Sequence, residues 1–221
     1  MFAGHYAASL AARAVEPRAP LWTYVAAAQL VDIGWSVLIT AGIETGRVDP
    51  ALPGSTLVLD NMPFTHSLPA AIAWSLAAAL LARYALRLKW TPALMIGAVV
   101  FSHWLLDLLV HRPDLELIPG GQKVGLGLWN FPVIEEAVEI GLIAIVGVFW
   151  TAQRTRMGFR AWPAAAFIGL LVLVQITALL IPAEASNTLT DKGPMALAVY
   201  LVITIAAAFL DRRANSPQPT P

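Results

Sequence analysis

The sequence predicts an all-α fold: a polytopic membrane helical bundle of six spans, preceded by a short N-terminal half-helix. Three observations predict it. Hydrophobic residues make up 58% of the 221-residue chain and the mean hydropathy is +0.68, too apolar for an ordinary soluble domain. The apolar residues gather in runs of about 20, the length that crosses a bilayer's hydrocarbon core. Lys and Arg cluster on alternate connections between those runs, as charge asymmetry across a membrane requires.

Taken in order, Ala3–Val15 is an Ala-rich helix too short for a full span, closed by Glu16-Pro17 and Pro20. Leu21–Ile43 is the first span and carries Asp32. Glu44–Thr65 is a loop rich in Gly, Pro and Asp. Ser67–Leu86 is the second span, capped by Thr65 or Ser67, with Pro69 acceptable in a first turn. Pro92–Val110 is the third span, and Arg112–Asn130 the long loop after it. Phe131–Trp150 opens with Glu135, Glu136 and Glu139; Ala161–Ile181 carries Gln175; Pro194–Leu210 completes the six. Residues 1–211 form one transmembrane domain, and the polar, Pro-rich residues 212–221 a disordered cytoplasmic tail. Trp104, Trp129 and Trp150 stand near span ends, where indole rings anchor at the interface. Gly125-Leu126-Gly127 lacks the context of a phosphate loop.

Composition excludes several functions. Formal net charge is zero, giving no general attraction for nucleic acid. The absence of cysteine removes disulfides, thiolate metal sites and a cysteine nucleophile. The basic clusters at Arg13/Arg18, Arg83/Arg87/Lys89, Arg154/Arg156/Arg160 and Arg212/Arg213 all fall on one side of the proposed spans. By the positive-inside rule the basic loops and the C-terminus are cytoplasmic, and the acidic loops lie outside, in a bacterial inner membrane.

Within this frame, one segment carries chemistry: Phe101-Ser-His-Trp-Leu-Leu-Asp-Leu-Leu-Val-His-Arg-Pro-Asp114. On a helix, His103 and Asp107 share a face, with His111 one turn further. Height along each helix then groups the polar residues. Asp32 lies about 17 Å above the basic end of its span, His103 about 18 Å, and Asp107 one turn higher. His5 reaches about 18 Å above Arg13–Arg18, while Glu139 and Gln175 each lie about 22 Å from their basic ends. Singly, each has a structural explanation, such as a headgroup contact or a helix kink. Together they supply one another with partners, as ionisable groups at membrane depth must.

The donor set is that of a divalent cation. His66, His103 and Asp107, with Asp32 or His5 completing the shell, are the expected metal ligands, and zinc the expected ion. Asp107, Glu135 or Glu139 is the expected catalytic proton acceptor. Asp60, His111, Arg112 and Lys123, in the outer loops, are the expected substrate contacts, with the two cations available to a phosphate. Because half-helix Ala3–Val15 ends in mid-membrane, its first N–H groups need polar acceptors.

Gly4-His5, Asp32, Phe64-Thr65-His66-Ser67 and Ser102-His103-Trp104-Leu105-Leu106-Asp107 resemble the family of membrane-bound metal-dependent hydrolases of bacterial inner membranes. The likeness covers the first half of the chain. Asn61 stands where that family often carries a further histidine, so the number of metal ions stays open. In motif order the chain is also distantly similar to zinc-dependent phospholipase C. That likeness implies a first centre of Asp32, His66, His103 and Asp107, with His5 near a second. The expected activity is hydrolysis of a phosphoester in a lipid or lipid-linked substrate from the outer leaflet, with membrane lipids as the partners. Two competing readings are a metal-ion or small-solute transporter using the same His/Asp/Glu cluster, and a haem protein with His66 and His103 as axial ligands.

Overall fold

A computed structural model of the chain describes residues 1–180 and 189–214. The expected loop residue Glu184 and the tail beyond residue 214 lie outside these. The fold is mostly helical. A 3-10 turn, Ala3–His5, leads into α1 (Tyr6–Val15). It is followed by α2 (Leu21–Ala28) and α3 (Leu30–Thr40), then α4 (Leu68–Tyr84), α5 (Trp90–Val110), α6 (Pro132–Arg156), α7 (Trp162–Leu180) and α8 (Leu189–Ala214). The last helix thus runs past Asp211, where the sequence suggested a tail.

Three helices, α5, α7 and the Leu189–Asp211 stretch of α8, are long and apolar enough to cross a membrane. A fourth span results if α2 and α3, bent by 48°, are counted as one. The six expected from sequence are therefore not all met. Helix α4 has 17 residues, and α6, though 25 residues long, opens with three glutamates. The fold is not purely helical either. In the loop expected at Glu44–Thr65, strands β1 (Thr45–Val48) and β2 (Leu57–Asn61) pair antiparallel. In the next long loop β3 (Leu115–Glu116) pairs with β4 (Lys123–Val124). Long connections over an apolar bundle must satisfy their own backbone groups, and short ladders do so.

Helix α1 sits inside the bundle, packed on α2, α5 and α6, with Tyr6 and Leu10 wholly buried. The N–H groups at its start are satisfied as the sequence requires. Glu139 accepts from Phe2 N and Gly4 N, both at 2.8 Å, and Gln175 Oε1 accepts from Ala3 N at 3.2 Å. Around it, α5 packs closely on α4 because Gly97 lets the backbones approach: a Cβ there would lie 2.8 Å from the Ser75 carbonyl oxygen. Ser67 caps α4, its Oγ accepting from Ala70 N at 3.2 Å.

The three tryptophans expected at the interface are all buried. Trp104 Nε1 donates to the His66 carbonyl at 3.0 Å, Trp129 packs against the His111 ring, and Trp150 joins the main core. A buried indole still needs a partner for its N–H, and the irregular backbone around the site supplies one to Trp104.

Gly125 closes the long loop against the end of α5. Leu126 N donates to Leu108 O at 2.8 Å, and Gly127 N to His111 O at 2.7 Å. A Cβ on Gly125 would meet the Arg112 carbonyl oxygen at 2.1 Å. Gly125→Ala is therefore expected to push this loop off α5 at a cost of about 1–3 kcal/mol. The change should appear as a lower unfolding midpoint together with weaker metal retention, because His111 lies at this contact.

Candidate metal centre

The centre is assembled from helix ends and one helix break. Helix α5 presents His103 and Asp107 on one face, and both are buried. The first span breaks at Gln29, and this frees the Ala28 carbonyl, which accepts from His103 Nδ1 at 2.8 Å. Irregular backbone at membrane depth is tolerated where it serves a polar site. The break also places Asp32 in the first turn of α3, where a carboxylate is favoured by the helix dipole. His66 comes from the turn before α4, and His5 from the N-terminal 3-10 turn. His111 caps the C-terminal end of α5.

Three imidazoles share one arrangement. His103 Nδ1–H is held by Ala28 O. His66 Nδ1 lies 2.8 Å from Thr65 Oγ1, whose own proton goes to Glu44 Oε2 at 2.6 Å. Thr65 has one proton, so the hydroxyl accepts from His66 Nδ1–H. His111 Nδ1–H donates to Asp114 Oδ1 at 2.9 Å. Burial pushes the His111 imidazole below its ordinary pKa, which keeps that ring neutral. In each ring Nδ1 is thus committed to an outer acceptor, and Nε2 is the ring atom turned towards the two carboxylates. Outer acceptors of this kind orient metal-ligating histidines.

The inward atoms converge. Asp32 Oδ1 lies 3.4 Å from both His66 Nε2 and His103 Nε2. Asp107 Oδ2 lies 3.1 Å from His103 Nε2 and 3.8 Å from His66 Nε2. Four ligands on a tetrahedral zinc ion stand about 3.3 Å apart along each edge, given bonds of about 2.0–2.1 Å. The other oxygen of Asp107 faces a different set. Oδ1 is 3.1 Å from His5 Nε2, 3.8 Å from His111 Nε2 and 3.0 Å from the Met1 amine. His5 and His103 rings stack at 3.8 Å, nearly parallel at 7°. Neither His5 Nε2 nor His103 Nε2 has an aligned hydrogen bond, although both are fully buried beside carboxylate oxygens. Buried nitrogens are seldom left so, and a cation among them would satisfy every one. Two overlapping groups, His5/His103/Asp107 and Asp32/His66/His103, can hold a metal ion.

Each expected ligand from the sequence is therefore in the cluster, and His111 joins it instead of the substrate entrance. The remaining expected site residues have other partners. Glu139 holds the N-terminal turn, and Gln175 Nε2 donates to Glu136 Oε2 at 2.9 Å; Glu135 is buried beside them. Arg112 donates to the Ser55 carbonyl and Asn130 Oδ1, both at 2.9 Å, and to the Pro53 carbonyl at 2.5 Å. Lys123 Nζ donates to the Leu59 and Asp60 carbonyls at 2.7 Å, and the Asp60 carboxylate pairs with Arg47. These cations bind the two hairpin loops together.

Sequence reasoning missed the supporting residues. Glu44, taken as a loop acid, is buried and also accepts from Phe64 N and Thr65 N at 2.9 Å. Asp114 accepts from Leu59 N at 3.0 Å as well as from His111, and Tyr200 Oη donates to Asp32 Oδ2 at 3.0 Å. Spacing offered a signal in two cases: Asp114 is three residues after His111, and Thr65 adjoins His66. No protein-family model, curated protein or solved structure matches the chain. The class defined here is a helical, membrane-compatible protein with a buried His/Asp group that can hold a metal ion.

Proposed function

We propose that the protein is a membrane-embedded hydrolase dependent on a divalent metal, with zinc as the ion and a lipid or lipid-linked phosphoester as the substrate. The observation carrying this reading is the common orientation of His66, His103 and His111, whose Nε2 atoms all face Asp32 or Asp107. This is the donor set of the hydrolase family that the motifs resemble. A divalent ion held there supplies Lewis acidity to a phosphoryl oxygen and acidifies a water. Asp107 Oδ1 is already paired with the Met1 amine and faces His5 Nε2, so its part is to hold that half of the centre. Glu139 is already engaged by two backbone N–H groups, so its part is to position His5. The Asp32 carboxylate, 13% exposed, is the most open of the group, which supports substrate entry from its side.

In this reading the bent pair α2/α3 and each of α4 to α8 cross a bacterial inner membrane, with the Arg13–Arg18 and Arg154–Arg160 ends cytoplasmic and the two hairpins outside. The cysteine-free chain lends itself to a direct check. Ser55→Cys should label with an impermeant thiol reagent on intact cells, and Ala152→Cys should not. The reverse pattern would put the centre towards the cytoplasmic leaflet.

The near-complete burial of the cluster favours a second reading, transport of a metal ion or small solute. Reconstitution separates the two. Liposomes carrying a panel of phospholipids and lipid-linked phosphates should release headgroup or phosphate with the wild type and not with His103→Ala. If neither protein hydrolyses anything while the wild type alone carries a divalent ion across the bilayer, transport takes the place of hydrolysis.

A further inference from the structure

A second polar site lies at the other end of α1, about 12 Å along the helix from His5. There a cavity of about 280 Å³ is lined by Arg13, Pro17, Trp150, Arg154, Met157 and Phe159. Two guanidinium groups, from α1 and α6, border one small space. Both are buried: Arg13 is 7% exposed and Arg154 is 2% exposed. Arg13 reaches Asp211 Oδ1 through Nη2 at 3.2 Å and the Pro17 carbonyl through Nη1, while its buried Nε has no hydrogen-bond partner.

The nearby carboxylates are already engaged. Asp211 Oδ2 accepts from Leu21 N at 2.9 Å, so both of its oxygens are used. Glu16 is held by Arg18 through both carboxylate oxygens. The opposite wall is apolar. The Arg154 guanidinium lies 5.5 Å from the Trp150 ring centre and 5.3 Å from that of Phe159, and Met157 completes the rim. The buried Arg13 guanidinium, with its Nε unpartnered, beside the charge of Arg154 suits a tetrahedral oxyanion, and the aromatic and thioether wall suits an apolar substituent on it.

We propose that this cavity binds a phosphate group, as a membrane phospholipid headgroup or as free phosphate, separately from the metal centre. Arg13 supplies hydrogen bonds to the phosphate oxygens, Arg154 supplies charge, and Trp150, Met157 and Phe159 pack against whatever the phosphate carries. The cavity opens at the basic end of the bundle, where a polar headgroup would meet it.

The test uses the purified full chain in a neutral detergent. Binding of phosphatidylglycerol, phosphatidylcholine and inorganic phosphate is measured by native mass spectrometry and by the shift in unfolding midpoint. Three proteins are compared: wild type, Arg13→Gln and Met157→Trp. The last fills the cavity while leaving both arginines in place. Divalent-metal content serves as the control for folding. The wild type should bind an anionic phospholipid, and Arg13→Gln should bind it at least ~10-fold more weakly through loss of a charge-assisted contact. Met157→Trp should lose binding with its metal content unchanged. If inorganic phosphate competes fully, the site takes free phosphate; if it does not, the lipid is the ligand. Binding of neither, or binding that Met157→Trp leaves intact, overturns the proposal.

Discussion

Asp107→Asn is expected to yield a folded protein that retains no divalent metal and hydrolyses no substrate. Asparagine keeps the size of the side chain and removes its charge. The carboxylate is the point at which the two halves of the centre meet: Oδ2 faces His103 and His66, and Oδ1 faces His5 and His111. An amide offers one neutral oxygen to one half and an NH₂ group to the other, and that group opposes the lone pairs oriented towards it. Outer partners of metal ligands are worth about 10–100-fold in affinity, so loss of a direct, shared ligand should exceed 100-fold. Metal content by mass spectrometry, read beside the circular dichroism spectrum, checks both halves of this expectation. A variant that holds as much metal as wild type would remove Asp107 from the centre.

Thr65→Val should have the next largest effect without touching any ligand. Valine matches threonine in shape, yet it removes the hydroxyl that accepts His66 Nδ1–H and donates to Glu44. Both partners are buried, so each is left short of a hydrogen bond, at about 1–3 kcal/mol apiece. His66 then has nothing to fix its tautomer. Metal affinity should fall by about 10–100-fold in a chelator competition, and Thr65→Ser should restore most of it. Equal affinity in Thr65→Val and wild type would mean that the Glu44–Thr65–His66 chain does not orient the ring.

Both predictions draw on residues that differ in how visible they were in the sequence. His5, Asp32, His103 and Asp107 were legible because helical rise places them within about a turn of one height, where unpaired ionisable groups are costly, and His66 because it sits in the Phe64-Thr65-His66-Ser67 motif. Glu44 and Asp114 were not, because loop acids have no periodicity to give them a direction; only pairing with Thr65 and His111 shows them buried. His111 was assigned to the loop since α5 ends at Val110, but its ring turns back over Trp129 towards Asp107. The break at Gln29 was equally hidden. Leu21–Ile43 reads as one unbroken apolar run, and at its break the freed Ala28 carbonyl is taken by His103, far away in the chain. Fewer than six of the helical units meet the length and apolarity of a span, because α4 has only 17 residues and α6 opens with three glutamates.

The account rests on the claim that this His/Asp cluster holds a divalent metal, and His103 is the residue common to both candidate groups. Elemental analysis of detergent-purified protein, wild type beside His103→Ala, tests that claim most directly. The account predicts at least one divalent ion per chain in the wild type and its loss in the variant. A wild type that carries no metal after mild purification, or a metal content that His103→Ala leaves unchanged, would contradict it.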